Sequence, residues 1–291
     1  MSIELCVLAS GSAGNCTVVR TPAGVLLVDV GIGPRTAAQR MAGTGVCLAD
    51  VRAICLTHLD RDHFNRNWLG TILSREIRVF CHFRRVDELV RLATLGADSS
   101  PEDAERLRAL VTPFQHESFE PLDGLAVNPV LLVHDRLGSH GFVFDGFGCR
   151  IGYASDLGRI PETFEEDFED LDLLAIESNY DRQMQLDSPR PWFLKRRIMG
   201  GWGHLSNEQA LEAVRKVLRR SETRGLKLPS RIVLLHRSRE CNCPELVRRL
   251  FTRDARIAPR LVLAEQFERS EWLRANGQAP DTGMQLSLAF G

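Results

Sequence analysis

Residues 51–64 read VRAICLTHLDRDHF. As far as Thr57 the run is dominated by apolar and β-branched residues, the composition of a buried strand. It then releases His58, Asp60, Asp62 and His63 within six residues. Imidazoles and carboxylates at the exit of a strand converge on a cation only if the backbone turns sharply there, and a cation offsets the electrostatic cost of crowding two aspartates. A plain polar loop after a strand is the simpler alternative, but the H-x-D-x-D-H order is more regular than a random polar cluster. The segment predicts a metal centre carried on a strand-exit loop.

Outward from it, short strand-like runs recur between turn residues: IELCVL, CTVVR, VLLVDV, RVFC, LAVNPVLLV, GFVF, CRIGYA, LDLLAIE and RIVLLH. Helical patterns fall between and after them, at 65–74, 84–94, 102–111, 188–198, 207–220 and 244–252, so the chain is mixed α/β. The clearest helix is 207–220, whose Ala210, Ala213, Val214, Val217 and Leu218 form one stripe, with Ser206 and Gln209 spaced as a capping box. His204 lies just before that helix. The chain divides into a domain over 1–265 and a mostly polar tail over 266–291.

The whole sequence sets limits on function. Its 291 residues, 44% hydrophobic and 26% charged, describe a globular chain with a substantial core. A net charge of -1 argues against a binder that works through bulk positive charge. The start, MSIELCVLASGSAGN, lacks a basic and apolar export signal, and no run is long enough to span a membrane. Eight scattered cysteines, several inside apolar runs, fit a reducing cytoplasm, and Cys241 and Cys243 are spaced too closely for a zinc knuckle. No obligate protein partner is readable.

HLDRDH resembles the H-x-H-x-D-H signature of the metallo-β-lactamase fold superfamily, with Asp60 in place of the middle histidine. Other segments are similar to that family's remaining motifs in the same order. VLLVDVG carries Asp29 at a strand end, LLVHDRLGS carries His134, GYASDLG carries Asp156 and RIVLLHRS carries His236. ASGSAGNCTVV, IESNYD, GHLSNEQA and LLHRSRECN narrow the resemblance to the YycJ/WalJ type of metallo-hydrolase. An Asp or His at one strand end is more often structural than a ligand. Five such residues in order make the joint coincidence small.

The resemblance implies an α/β fold of four layers, the αβ/βα sandwich, with strand-end loops forming the site along one edge. It implies two divalent ions, zinc, manganese or iron. His58, Asp60, His134 and Asp156 would hold one, while Asp62, His63, Asp156 and His236 would hold the other. Asp29 would steady the ligand loop, Asp62 would also orient the attacking water, and His204 is the candidate general acid, though a surface histidine at a helix entry explains its position equally well. Replacing an imidazole by Asp60 adds charge and a harder oxygen donor, which shifts preference from zinc toward manganese or iron.

The activity implied is a phosphodiesterase, a 5′-exonuclease on single-stranded nucleic acid with a place in DNA repair. Two alternatives stay open: a small-molecule hydrolase acting on a thioester, lactone or β-lactam, and an inert metal-binding protein. For substrate contacts, Ser12 and Asn15 lie in a small-residue loop suited to an anion, although turn chemistry also accounts for it. Arg237 and Arg239 follow the ligand His236 and are placed to meet a phosphate. PRPWFLKRRIMGGWGHLS mixes cations with Trp192, Phe193 and Trp202, as single-strand binders do and as a solvated helix beside core aromatics also does. His82 and His116 read as ordinary structural or surface residues, and His140 as a spare ligand.

Overall fold

Both faces of the central strands are apolar, and this decides the layering. In β1 (Glu4–Ala9), Leu5 and Val7 face one core while Cys6 and Leu8 face another. The same split runs through β2 (Cys16–Thr21), β3 (Gly24–Val28) and β4 (Val51–Cys55), so helices must cover the outer side and a second sheet the inner side. The computed structural model describes residues 2–95 and 100–275 and has that arrangement.

The first sheet continues into β5 (Arg78–His82) and β6 (Val111–Phe114). Its outer face is covered by α1 (Pro34–Met41), α2 (Leu69–Arg75), α3 (Val86–Ala93) and α4 (Pro101–Leu110). The second sheet holds β7 (Phe119–Leu122), β8 (Leu125–Leu132), β9 (Ser139–Gly146), β10 (Cys149–Ala154) and β11 (Leu173–Glu177). It ends with β12 (Arg231–Leu235) and β13 (Leu261–Leu263). On its outer face lie α5 (Phe164–Asp167), the 17-residue α8 (Asn207–Thr223) and α9 (Pro244–Phe251). The short helices α6 (Arg182–Asp187) and α7 (Trp192–Arg197) sit over a small core of Tyr180, Ile198 and Cys241. Between the sheets, Val28, Phe80, Phe142, Phe144 and Tyr153 belong to one buried cluster. The four-layer sandwich expected from the sequence is present.

Each sheet opens with antiparallel hairpins and closes with parallel strands. In the first, β1, β2 and β3 pair antiparallel, and β3, β4, β5 and β6 run parallel. In the second, β7 to β10 pair antiparallel and β10 to β13 run parallel. Ends are in register: Val28 pairs with Cys55, Ala154 with Ile176, and Glu177 with Leu235. The carboxyl ends of parallel strands are where α/β sheets gather their functional side chains.

The segment expected to be a tail begins as part of the fold. Ser270 N donates to Val7 O, Trp272 Nε1 donates to Thr44 O under the Arg20 guanidinium, and β14 (Leu273–Arg274) pairs with β1. Residues 276–291 lie outside the described residues. All eight cysteines are free thiols, and among the described residues no helix is long and apolar enough to cross a membrane.

Candidate metal centre

The loop after β4 is held from three sides. Asn15 N donates to Asp62 O at 2.7 Å, Val30 N donates to His63 O at 2.8 Å, and Asn65 N donates to Val30 O at 3.0 Å. Gly31 is required at this crossing, because a side-chain carbon there would fall on the carbonyl oxygen of Asp62. Asp29, Asp156 and His236 all take positive φ, at 57°, 57° and 53°, just past the ends of β3, β10 and β12. Such backbone in residues other than glycine persists only where surrounding contacts over-determine it. Here the turns bring Asp156 and His236 into the donor cluster and set Asp29 behind His63.

Four imidazoles are oriented by what their Nδ1 atoms touch. His63 Nδ1 donates to Asp29 Oδ2 at 2.7 Å, and His134 Nδ1 donates to Gly203 O at 2.7 Å. The Thr57 hydroxyl donates to Asp29, so it accepts from His58 Nδ1 at 3.0 Å. His236 Nδ1 lies 3.2 Å from Glu177 Oε1. Every Nε2 is thereby left for the interior of the site, the usual way a protein fixes the tautomer of ligand histidines. His58 Nε2 is fully buried and has no hydrogen-bond partner, as befits a lone pair that bonds a cation.

Donor atoms gather in groups within 4.8 Å that can each hold a metal ion: His58, Asp60 and His134; Asp62, His63 and His236; His58, His63 and Asp156. Asp60 Oδ2 stands 3.8 Å from His58 Nε2 and 3.7 Å from His134 Nε2, so the variant position lies among donors. Asp156 lies between the groups, with Oδ2 2.6 Å from His63 Nε2 and Oδ1 3.4 Å from His236 Nδ1. The donor set of imidazole nitrogens and carboxylate oxygens suits zinc, manganese or iron.

Charge in the site follows from this crowding. Burial alone would raise the Asp156 carboxyl, but His236 and His63 outweigh it and hold it well below the usual carboxylate range. Burial alone would lower His134 and His236, yet the facing carboxylates push them up to about 9 and about 10. His58 goes the other way, driven far down by burial and by its neighbour His63, and is a neutral donor.

Glu177, to which sequence reasoning gave no role, is at the centre of a further group with Asp156, His204 and His236. It is fully buried, and Leu157 N and Leu205 N both donate to its Oε2. His204 Nδ1 donates to its Oε1 at 2.6 Å. The available signal was an ionisable residue closing the apolar run LDLLAIE, since a charge ending a buried strand requires partners.

The other expected residues divide. Ser12 lines the cleft of about 300 Å³ that also contains Asp60, Asp62, His134, Asp156, His204 and His236. Asn15, expected to meet substrate, is buried and instead bonds Gly11 and the carbonyl of Asp62 while its Nδ2 lies 2.9 Å from His63 Nε2. Arg237 and Arg239 are also diverted: Arg237 pairs with Glu265 at 2.6 Å, and Arg239 lies over the Phe267 ring. Both line a neighbouring depression, because the backbone turns after His236 and gives the cleft Ser238. The cations that line the cleft are Arg190 and Arg197. His140 stacks on His82 at 4.5 Å and belongs to none of the donor groups.

Comparison with known proteins agrees with this fold. A family model described as a β-lactamase superfamily domain matches residues 25–236. The chain is 26% identical over 249 residues to exodeoxyribonuclease YycJ of Bacillus anthracis, covering 85% of this chain and 87% of that one. It is 26% identical over 243 residues to exodeoxyribonuclease WalJ of Streptococcus pneumoniae serotype 2 strain D39, covering 82% and 83%. In three dimensions it is similar to the metallo-β-lactamase fold protein YhfI from Bacillus subtilis, with TM-score 0.65 at 13% identity over 93% of this chain and 99% of that one. The layered fold, the strand-end donors and the matched span together assign the chain to the β-lactamase superfamily, as a metallo-β-lactamase fold protein of the YycJ/WalJ type.

Proposed function

We propose that the protein is a metal-dependent phosphodiesterase, an exonuclease that shortens single-stranded nucleic acid from its 5′ end and works with two divalent cations. The observation that carries this reading is the pair of donor groups meeting at Asp156, with His204 backed by Glu177 on the same cleft. The similarity to two proteins named exodeoxyribonucleases supports DNA as the polymer. A cytoplasmic place in DNA repair belongs to the same proposal, and the eight free thiols are compatible with it.

His58, Asp60, His134 and Asp156 would hold one cation; Asp62, His63, Asp156 and His236 would hold the other. Bound there, divalent cations supply phosphate charge neutralisation and a more acidic water. The chain's own residues do the rest. Asp62 accepts a hydrogen bond from the attacking water and aims it. Arg197 attracts the phosphates entering the cleft, while Arg190 beside it is held by Glu240 at 2.8 Å. His204, its Nδ1 proton held by Glu177, offers Nε2–H to the departing oxygen, and the carboxylate steadies the charge that the ring carries before transfer.

The deciding experiment incubates 5′-labelled single-stranded DNA and RNA with the protein in manganese, zinc or chelator, with His63→Ala as the control for contaminating nuclease. Metal-dependent release of short 5′ products, lost in that variant, is the expected result. Absence of cleavage with every metal would overturn the phosphodiesterase reading and favour a small-molecule substrate.

A further inference from the structure

The outer side of α7 and the turn that follows it carry what the catalytic cleft does not use. Trp192, Phe193 and Trp202 are 63%, 74% and 55% exposed. Aromatic side chains of that size normally bury their rings, and three in one place form a patch that calls for a partner. They line a shallow depression of about 680 Å³ together with Arg196 and Arg197, and no carboxylate is among its lining residues. Arg159 adds a third guanidinium, 5.4 Å from the centre of the Trp202 ring. On this face of a chain whose net charge is -1, the local charge is strongly positive.

The patch is continuous with the proposed active site. Arg197 lines both depressions, and Leu194 and Ile198 from the same helical segment line the cleft. The turn carrying Trp202 is fixed to the ligand-bearing strands. Gly203 O accepts the His134 Nδ1 proton at 2.7 Å, and Gly158, two residues after Asp156, lies so close to Gly201 and Trp202 that a side-chain carbon would strike their backbone. Gly201 takes φ +83°, which a residue with a side chain rarely adopts. The backbone that carries Trp202 is thus held at a set place relative to the donors.

Exposed rings set beside guanidinium groups match a partner with flat apolar faces joined by negative charges, which describes unpaired nucleotides. A duplex keeps its base faces stacked internally and has none to offer. We propose that Trp192, Phe193 and Trp202 form a stacking platform that grips the single-stranded part of a polynucleotide while its terminal phosphodiester lies in the cleft. This inference rests on the phosphodiesterase reading for its substrate, but it is tested by binding.

The test uses the full-length protein as purified and a fluorescein-labelled, phosphorothioate-linked thymidylate strand of about 15 nucleotides, near the upper site size for stacking proteins. Anisotropy titrations and intrinsic tryptophan emission are followed in parallel for the parent, for Trp192→Ala/Trp202→Ala and for Trp192→Phe/Trp202→Phe. The expected result is quenching of emission in the parent, at least about ten-fold weaker binding in the alanine pair and recovery in the phenylalanine pair. An uridylate strand and a hairpin duplex show whether RNA shares the platform and whether unpaired bases are required. Equal affinity in parent and alanine pair, duplex binding as tight as single-strand binding, or sedimentation as a dimer with no strand binding would each overturn the platform. Hydrolysis of bis(p-nitrophenyl) phosphate in manganese, a substrate with no strand to lay along the platform, is followed separately. Its absence in the parent counts against the phosphodiesterase reading alone, and unchanged turnover in the alanine pair beside weakened strand binding supports both.

Discussion

At the scale of single residues the site is a set of nitrogen atoms whose directions were chosen by their neighbours. Glu177 is the least obvious of these neighbours, because it fixes two rings from a fully buried position. Glu177→Gln keeps the size and loses the charge, so turnover is expected to fall by about 10²-fold, the lower end for a disabled acid–base group. Atomic absorption separates this from simple loss of metal: the variant is expected to keep its metal while turnover falls. Asp60→His replaces a hard oxygen by an imidazole and is expected to raise the zinc-to-manganese ratio retained after dialysis; an unchanged ratio would remove Asp60 from the ligand set. The candidate ligands were legible because four of them crowd the loop after one apolar run, and His134, Asp156 and His236 each follow another such run. The sequence hid the diversion of Arg237 and Arg239, because partners such as Glu265 and Phe267 are set by a turn in space.

At the scale of elements, all ten strand-like runs read from the sequence are strands, most because burial on both faces leaves a continuous apolar signature and β8 through its alternating one. Four strands had no such signature. In β6 and β7 a proline interrupts a four-residue run at a sheet edge, and β13 and β14 are shorter still. The capping box at Ser206 and Gln209 is formed as read, although α8 runs on to Thr223. Helix α1 escaped because only Ala37 and Met41 are buried along it. The crossing of the β3 exit over the ligand loop gives a sharp prediction. Gly31→Ala must push the Asp62 peptide aside, at a cost of about 1–3 kcal/mol for overpacking, and should lose metal at Asp62 and His63 while retaining native circular dichroism. Full metal content in that variant would mean that the loop yields without moving its carboxylate.

At the scale of the molecule, protons and cations compete for the same nitrogen atoms. His134 and His236 bind protons more tightly in the folded chain, up to about 9 and about 10, than the 6.5 of a free imidazole. Their contribution to the stability of the stripped protein is therefore complete below about 6.5 and disappears as pH rises through 9 to 10. Thermal unfolding after chelation is expected at progressively lower temperature over that interval, with a smaller decline in protein reloaded with manganese. Parallel declines would show that cations do not replace those protons. Salt gives a second whole-molecule measure. If Arg159, Arg196 and Arg197 each neutralise one phosphate, log affinity for a single strand should fall against log salt with a slope of about -2.

Three of the four donor groups draw from both sheets: His58 and Asp60 with His134, Asp62 and His63 with His236, His58 and His63 with Asp156. The two halves repeat one strand plan, antiparallel first and parallel after, and their shared edge is where the groups assemble. A cation held there is a removable staple between segments far apart along the chain, and its grip measures whether the sandwich is closed. Loosening the inter-sheet layer, for instance at Phe142, should release metal before either half loses its own strands.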